Sequence, residues 1–310
     1  MEYRYLGKTG MEVSALSFGA SSLGGIFHSL NEEEGIETVH AAVDNGINFI
    51  DVSPYYGHCK AEVLLGKALR NIERNRYYLS TKVGRYGENG VNMWNYSAAR
   101  TKASVFESLD RLNIEYIDLI SVHDIEFADF DVVINETLPQ LVELRVQGIV
   151  KHVGITNLTL RHFKYIIENT PAGTVESVLS FCHYCLNDDA LVDYLDFFEK
   201  HGVGVINASP FSMGLLTERG APDWHPAPMP LQSLCKKAVQ HCISKGISIE
   251  QLAVKFAVSN PRIATTLFST TRADAVLQNI AWANQTVDEQ LLSEVLEILE
   301  QRHNDTWLNS

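Results

Sequence analysis

The chain has 310 residues, 45% of them hydrophobic, and a formal net charge of -13. That excess of carboxylates argues against a nucleic-acid or anionic-membrane partner, either of which calls for a basic surface, and no apolar run is long enough to cross a bilayer. The five cysteines, Cys59, Cys182, Cys185, Cys235 and Cys242, are odd in number and scattered, so they read as reduced thiols of a cytoplasmic protein rather than a disulfide framework.

The first six residues, Met1 to Leu6, lack the basic and apolar regions of a signal peptide. Two alternating stretches flank Leu6-Gly7-Lys8-Thr9-Gly10 and predict a β-hairpin between Tyr3 and Ser17. A first core strand, Ala15 to Gly19, leads into the small-residue loop Ala20 to Gly25, where a ligand can approach the backbone. Asn31, with Glu34 three residues on, is a capping box for a helix whose buried stripe is Ile36, Val39 and Val43. Phe49-Ile50-Asp51 is an apolar run ending in a carboxylate, and a loop holding Tyr55 and Tyr56 follows, bounded by Pro54 and Gly57. A buried parallel strand hands over to a loop in this way at its C-terminal end.

A helix over about residues 61–71 separates this strand from a third, in which Lys82 stands where apolar residues should continue. The polar segment Gly84 to Tyr96, with Trp94, is a candidate wall for a substrate. Ser97 caps the next helix, and the fourth strand ends at His123. Pro139 marks either the start of the following helix or a kink in it. The fifth strand, Ile149 to Ile155, ends in Thr156-Asn157, polar groups that suit a carboxamide or a helix cap. The sixth and seventh strands are Ser177 to His183 and Val203 to Ala208, and an irregular stretch from Ser209 to Pro230 holds Trp224 and His225. Ser248 with Gln251 is a second capping box, the eighth strand is Ile263 to Phe268, and two further helices follow.

No Ser/Gly/Pro-rich tract or charge block interrupts the pattern, so one domain over residues 1–310 is expected. Eight strand–helix alternations predict a βα architecture without separating a closed barrel from an open doubly wound sheet, although no Gly-x-Gly-x-x-Gly opens a helix. Cys182-His183-Tyr184-Cys185 has the spacing of half a metal or redox site, but no second pair completes it, and no metal is expected.

A lone strand-end Asp, Lys or His is ordinarily a capping or rim residue. Asp51, Lys82 and His123 close three consecutive strands, and Tyr56 follows the first of them. A phenol of ordinary pKa near 10 is a poor proton carrier at neutral pH. A neighbouring ammonium favours the phenolate, and a carboxylate keeps that ammonium charged when buried. With an imidazole to orient a substrate oxygen, the set is a proton relay for interconverting C–OH and C=O, hydride being the other half of the reaction.

In order and spacing, Asp51, Tyr56, Lys82 and His123 resemble the catalytic tetrad of the aldo-keto reductase superfamily. Gly154-Ile155-Thr156-Asn157 and the stretch Ser209 to Thr217 match further landmarks of that family, and the similarity spans nearly the whole chain. Within it, His123-Asp124-Ile125-Glu126-Phe127, Cys182-His183-Tyr184, Gly214 to Glu218 and Trp224-His225-Pro226-Ala227 resemble aldose 1-dehydrogenases of the L-galactose and L-fucose type. The resemblance implies a (β/α)8 TIM barrel with an N-terminal β-hairpin and additional C-terminal helices.

It further implies that Ala20, Ser21, Asp51, Thr156, Asn157, Ser209, Phe211, Gly214, Leu215, Ser269, Thr270, Gln278 and Asn279 line a dinucleotide, with Thr156 and Asn157 on the carboxamide. Relatives that use NADPH carry a Lys and an Arg near the eighth strand. The matching positions are Ser269 and Ala275, with Arg272 the nearby cation, so NAD is expected over NADP. A family Tyr that stacks on the nicotinamide is matched by Ala208, and a Gln on its carboxamide by Ser180 or Phe181. Tyr56, His123 and Asp124 are the expected substrate contacts, with Asp124 either holding sugar hydroxyls or orienting His123. The expected partner is a small-molecule sugar, the chain being a monomer or weak homodimer. Pyridoxal oxidation and NADPH-dependent carbonyl reduction are the alternatives. A nucleotide-sensing regulatory subunit is the alternative of another class, and the intact tetrad argues against it.

Overall fold

Eight short strands, each parallel to the next, close on themselves in this computed structural model, which describes residues 1–25, 31–86, 93–305 and 307. They are β3 (Leu16–Gly19), β4 (Phe49–Asp51), β5 (Tyr78–Val83), β6 (Ile117–Val122), β7 (Val150–Asn157), β8 (Ser177–Phe181), β9 (Gly204–Ala208) and β10 (Thr265–Phe268), and β10 pairs with both β9 and β3. The closed barrel decides the question that periodicity left open. In β6 every residue is buried, as expected of strands covered on one side by the barrel interior and on the other by helices.

The outer ring is α1 (Glu32–Asp44), α2 (Lys60–Leu69), α3 (Ala98–Leu112), α4 (Phe130–Val132), α5 (Leu138–Val146), α6 (Leu160–Glu168), α7 (Leu195–His201), α8 (Met229–Ser244), α9 (Ile249–Ala257), α10 (Ala273–Asn284) and α11 (Glu289–Leu299). Asn31, Ser97 and Ser248 cap α1, α3 and α9 through their side chains, although Asn31 accepts from the amide of Glu33 rather than Glu34. Pro139 lies in the first turn of α5, which begins at Leu138, so the proline marks the start of that helix rather than a kink within it. A π-helical turn, Val133–Thr137, joins α4 to α5 just ahead of it and absorbs the backbone bond that proline cannot make. The sixth core strand stops at Phe181, two residues short of expectation, because Cys182 takes φ 63° and turns the chain out of the sheet.

The other two strands, β1 (Tyr3–Tyr5) and β2 (Glu12–Ser14), form the expected hairpin. Leu6, Met11 and Val13 cluster with Phe49, Leu119, Leu179 and Ile206. Gly7, at φ 54°, comes so close to β9 that a Cβ would lie 2.3 Å from the Gly204 amide nitrogen. The hairpin thus plugs the N-terminal end of the barrel and leaves chemistry to the C-terminal end.

Candidate active site

The expected tetrad assembles at the C-terminal mouth. Asp51 ends β4 and Lys82 is the penultimate residue of β5, so the pairing of these strands puts the two side chains together inside the barrel. Lys82 is 1% and Asp51 3% exposed, which makes this a fully dehydrated ion pair. Lys82 Nζ donates to Asp51 Oδ1 and, at 2.9 Å, to the Val52 carbonyl. Ser80 Oγ donates to the other carboxylate oxygen at 2.8 Å. Burial pulls the Lys82 ammonium towards deprotonation, but Asp51 and Tyr56 more than offset it and carry its pKa above the usual value.

Tyr56 reaches the pair from the loop after β4. Its seat is a close backbone contact: Gly57, at φ 62°, lies against Gly24, and a Cβ there would stand 2.0 Å from the Gly24 carbonyl oxygen. Lys82 Nζ is 5.1 Å from the centre of the Tyr56 ring. Dehydration raises the Tyr56 pKa, Lys82 opposes this, and Asp51 and Asp124 reinforce it, leaving a net rise. The expected depression by Lys82 is therefore present as one influence and outweighed by burial.

His123 follows β6 and is 4% exposed. Its Nδ1 lies 3.0 Å from Ser53 Oγ, and its ring meets Tyr56 edge-on with centroids 5.9 Å apart. Burial, then Lys82 and Arg85, push its pKa well below the ordinary range, so the imidazole is neutral. Ser53 Oγ accepts the Tyr55 amide, so its own proton goes to Nδ1, which leaves Nε2 as the protonated nitrogen, 3.6 Å from Asp124 Oδ2.

Asp124 sits at φ 47° and is 5% exposed. Its Oδ2 accepts from Arg85 Nη1 at 2.5 Å, and the Arg85 guanidinium stacks 3.5 Å from the Tyr55 ring centre and 4.6 Å from that of Trp94. The described part of the expected substrate wall therefore supplies Arg85 and Trp94, while residues 87–92 lie outside the described residues. Glu126, dehydrated and close to Asp124, has its pKa pushed up to about 7.

Thr156 and Asn157 end β7 fully buried, and their polar groups are engaged. Thr156 Oγ1 accepts the Asp124 amide at 3.0 Å, and Asn157 Oδ1 accepts that of Glu126 at 2.9 Å. Asn157 Nδ2 donates to the Thr159 carbonyl, and Thr159 is the N-cap of α6. The two residues brace the loop after β6 in place of the expected helix cap.

On the β3, β9 and β10 side, Ser269 Oγ bonds Ser21, Ser22 and the Ser22 amide, tying the loop after β10 to the turn that begins at Ala20. Ser209, Ser212, Met213 and Gly214 all have positive φ, Phe211 and Leu215 pack below them, and His225 Nε2 lies 3.0 Å from the Ser212 carbonyl oxygen. Asn279 is buried in α10, with Nδ2 donating to the Ala275 carbonyl and Oδ1 unpartnered, while Gln278 is exposed and Thr270 Oγ1 accepts the Arg272 amide. Ser180 and Ser212 hydroxyls are likewise buried without partners. Among the described residues no three His, Cys, Asp or Glu side chains group as a metal site.

Sequence reading missed Ser53, Ser80, Arg85 and Glu126. Ser80 was within reach, since it lies two residues before Lys82 on the same strand and so shares its face. Ser53 and Arg85 act across loops, where no periodicity marks them.

A closed (β/α)8 barrel with a Lys–carboxylate pair beside a tyrosine and a neutral imidazole defines an oxidoreductase for carbonyl and alcohol centres. The chain belongs to the aldo/keto reductase family, which it matches over residues 15–300. It is 44% identical over 313 residues to an L-galactose dehydrogenase of Arabidopsis thaliana, covering 99% of this chain and 97% of that protein. It is 32% identical to a D-arabinose 1-dehydrogenase of Saccharomyces cerevisiae, covering 80% of this chain and 76% of that one. An aldo-keto reductase of Bacillus halodurans, solved in its holo form, superposes with a TM-score of 0.79 at 25% identity, covering 96% of each chain.

Proposed function

We propose that the enzyme is an NAD-dependent aldose 1-dehydrogenase that oxidises the anomeric C1 hydroxyl of an L-galactose- or L-fucose-type pyranose to the lactone. The observation that carries the reading is the buried Lys82–Asp51 pair set against Tyr56 and a neutral His123. The substrate class follows from what the relatives are named for.

Tyr56 accepts the hydroxyl proton. The Lys82 ammonium stabilises the phenolate that this requires, and Asp51, Ser80 and the Val52 carbonyl hold the ammonium in place. His123 Nε2–H donates to the substrate oxygen and fixes C1 in the mouth. A bound nicotinamide supplies the hydride acceptor. The residues present fit such a cofactor. Asn279 Oδ1 is a free buried acceptor for an adenine amino group, and Ser180 and Ser212 hydroxyls lack partners on the barrel's upper side. The loop after β10 leads into the N-terminus of α10, a natural phosphate seat. NAD over NADP is supported by Ser269 being committed to Ser21 and Ser22, and by Arg272 being bound by Asp274.

A panel of aldoses assayed for NADH formation tests the reading. Turnover with L-galactose or L-fucose well above that with simple aldehydes or alcohols is expected, and no turnover with any aldose would refute it.

A further inference from the structure

A carboxylate beside an imidazole is a hazard for a residue that must stay neutral. Asp124 Oδ2 stands 3.6 Å from His123 Nε2, the nitrogen left free once Ser53 has engaged Nδ1. At full hydrogen-bonding distance the pair would favour imidazolium with carboxylate, and Nε2–H would point at Asp124 instead of at a substrate. Three features hold the carboxylate back. Arg85 Nη1 donates to the same Oδ2. Thr156 Oγ1 lies 3.4 Å from Oδ1 and accepts the Asp124 amide. The Tyr96 hydroxyl donates to the carbonyls of both His123 and Asp124, at 2.8 and 3.0 Å, which fixes the backbone between them.

Arg85 is itself built into the wall. Its guanidinium lies between Tyr55 and Trp94, and Tyr55 also meets the His123 ring edge-on at 6.1 Å between centroids. We propose that Arg85 is a positioning residue: by occupying the Asp124 carboxylate it keeps that group off the His123 imidazole and leaves Nε2–H free for the substrate oxygen. This rests on the reading of His123 as the residue that orients that oxygen. The titratable and charged groups around the imidazole are Asp51 of β4, Tyr55 and Tyr56 of the loop after it, Lys82 of β5, Arg85 of the next loop, and Asp124, with Glu126 behind it. Burial, Lys82 and Arg85 favour the neutral ring, and the carboxylate in contact range that can reverse them is Asp124.

Arg85→Met keeps an apolar stem between the two aromatic rings and removes the charge, and Arg85→Gln serves if that variant does not fold. Imidazole NMR of His123, assigned with a His123→Asn variant, reads its protonation without substrate. In the unsubstituted protein burial, Lys82 and Arg85 hold the His123 pKa well below the ordinary imidazole range. In Arg85→Met its pKa rises by at least about two units, and kcat/KM gains an acid limb that falls about tenfold per pH unit below that pKa. Adding Asp124→Asn removes both effects although the arginine is still absent. An unmoved His123 titration overturns the proposal. So does a loss of activity that is equal at every pH and unrelieved by Asp124→Asn. An enzyme inactive on every aldose sinks the sugar assignment alone, because the NMR titration does not depend on it.

Discussion

Replacing Lys82 by Met isolates the electrostatic half of the relay. The ammonium is buried and lies 5.1 Å from the centre of the partly buried Tyr56 ring. At an effective dielectric constant near 20 the attraction between that charge and a phenolate is about 3 kcal/mol, or about two pKa units. With Tyr56 as the proposed base in the oxidative direction, the rate should rise with pH as the phenolate forms. Losing Lys82 lifts an already raised pKa further, and Asp51, now unpaired, pushes the same way while it stays ionised. At about pH 8 kcat/KM should therefore fall about 100-fold, with the log rate still climbing at unit slope where the unsubstituted enzyme levels off. The assay is initial NADH formation between about pH 6 and pH 10, with circular dichroism to confirm folding, since breaking a buried pair costs about 3–5 kcal/mol. A variant whose rate merely drops, with its profile inflecting at the same pH as before, refutes the coupling.

Tyr56→Phe should lower kcat by about 10²–10⁴-fold, while fluorescence titration finds NADH affinity nearly unchanged, and near-normal turnover would remove Tyr56 from its role. Ser269→Lys with Ala275→Arg should move the ratio of kcat/KM values towards NADP by about 1–3 kcal/mol, whereas equal use of both cofactors before substitution sinks the argument for NAD. Arg111→Met should cost about 3–5 kcal/mol in urea unfolding, because Glu62 is fully buried in α2 and would keep Thr81 as its remaining partner. Adding Glu62→Gln should recover part of that loss.

The alternation of strands and helices was legible because each strand is a short apolar run bounded by turn residues, and the tetrad because polar residues broke that rule at strand ends. Barrel closure was not, since whether the last strand pairs with the first leaves no trace in periodicity and came from resemblance alone. What escaped entirely was non-local. Thr156 and Asn157 were legible as polar strand-end residues, but it was not legible that pairing of β6 with β7 brings them under the loop that follows His123, where they receive the amides of Asp124 and Glu126. Asp124 was read as either a sugar contact or a residue that orients His123, and nothing near it in sequence announces its partner Arg85, which lies 39 residues earlier. The net direction of the Tyr56 shift was not legible for the same reason. A charge partner can be read from order and spacing, whereas the dehydration that outweighs it depends on everything packed around the hydroxyl.

The distribution of backbone strain separates the two ends of the barrel. Among the described residues, nine that are not glycine adopt positive φ. Asn113 and Asn304 tolerate it through their short polar side chains and lie elsewhere. The other seven, His58, Cys59, Asp124, Cys182, Ser209, Ser212 and Met213, all follow the C-terminal ends of β4, β6, β8 or β9. Each costs roughly 1 kcal/mol relative to a conformation it prefers. Turn geometry alone would be met by glycine, as it is at Gly7, Gly10 and Gly202 around the plugged end, and as it is at Gly57 where a Cβ would collide. Keeping side chains at strained positions makes sense where the side chain has work to do. Asp124 anchors Arg85, and the turn at Ser212 offers its carbonyl to His225 while its hydroxyl stays unpartnered at the proposed cofactor seat. Rigidity of the mouth is thus obtained by over-determining a strained backbone with cross-loop bonds. For that reason single substitutions at Arg85, Tyr96 or His225, none of them among the four relay residues, should disturb catalysis more than they disturb folding.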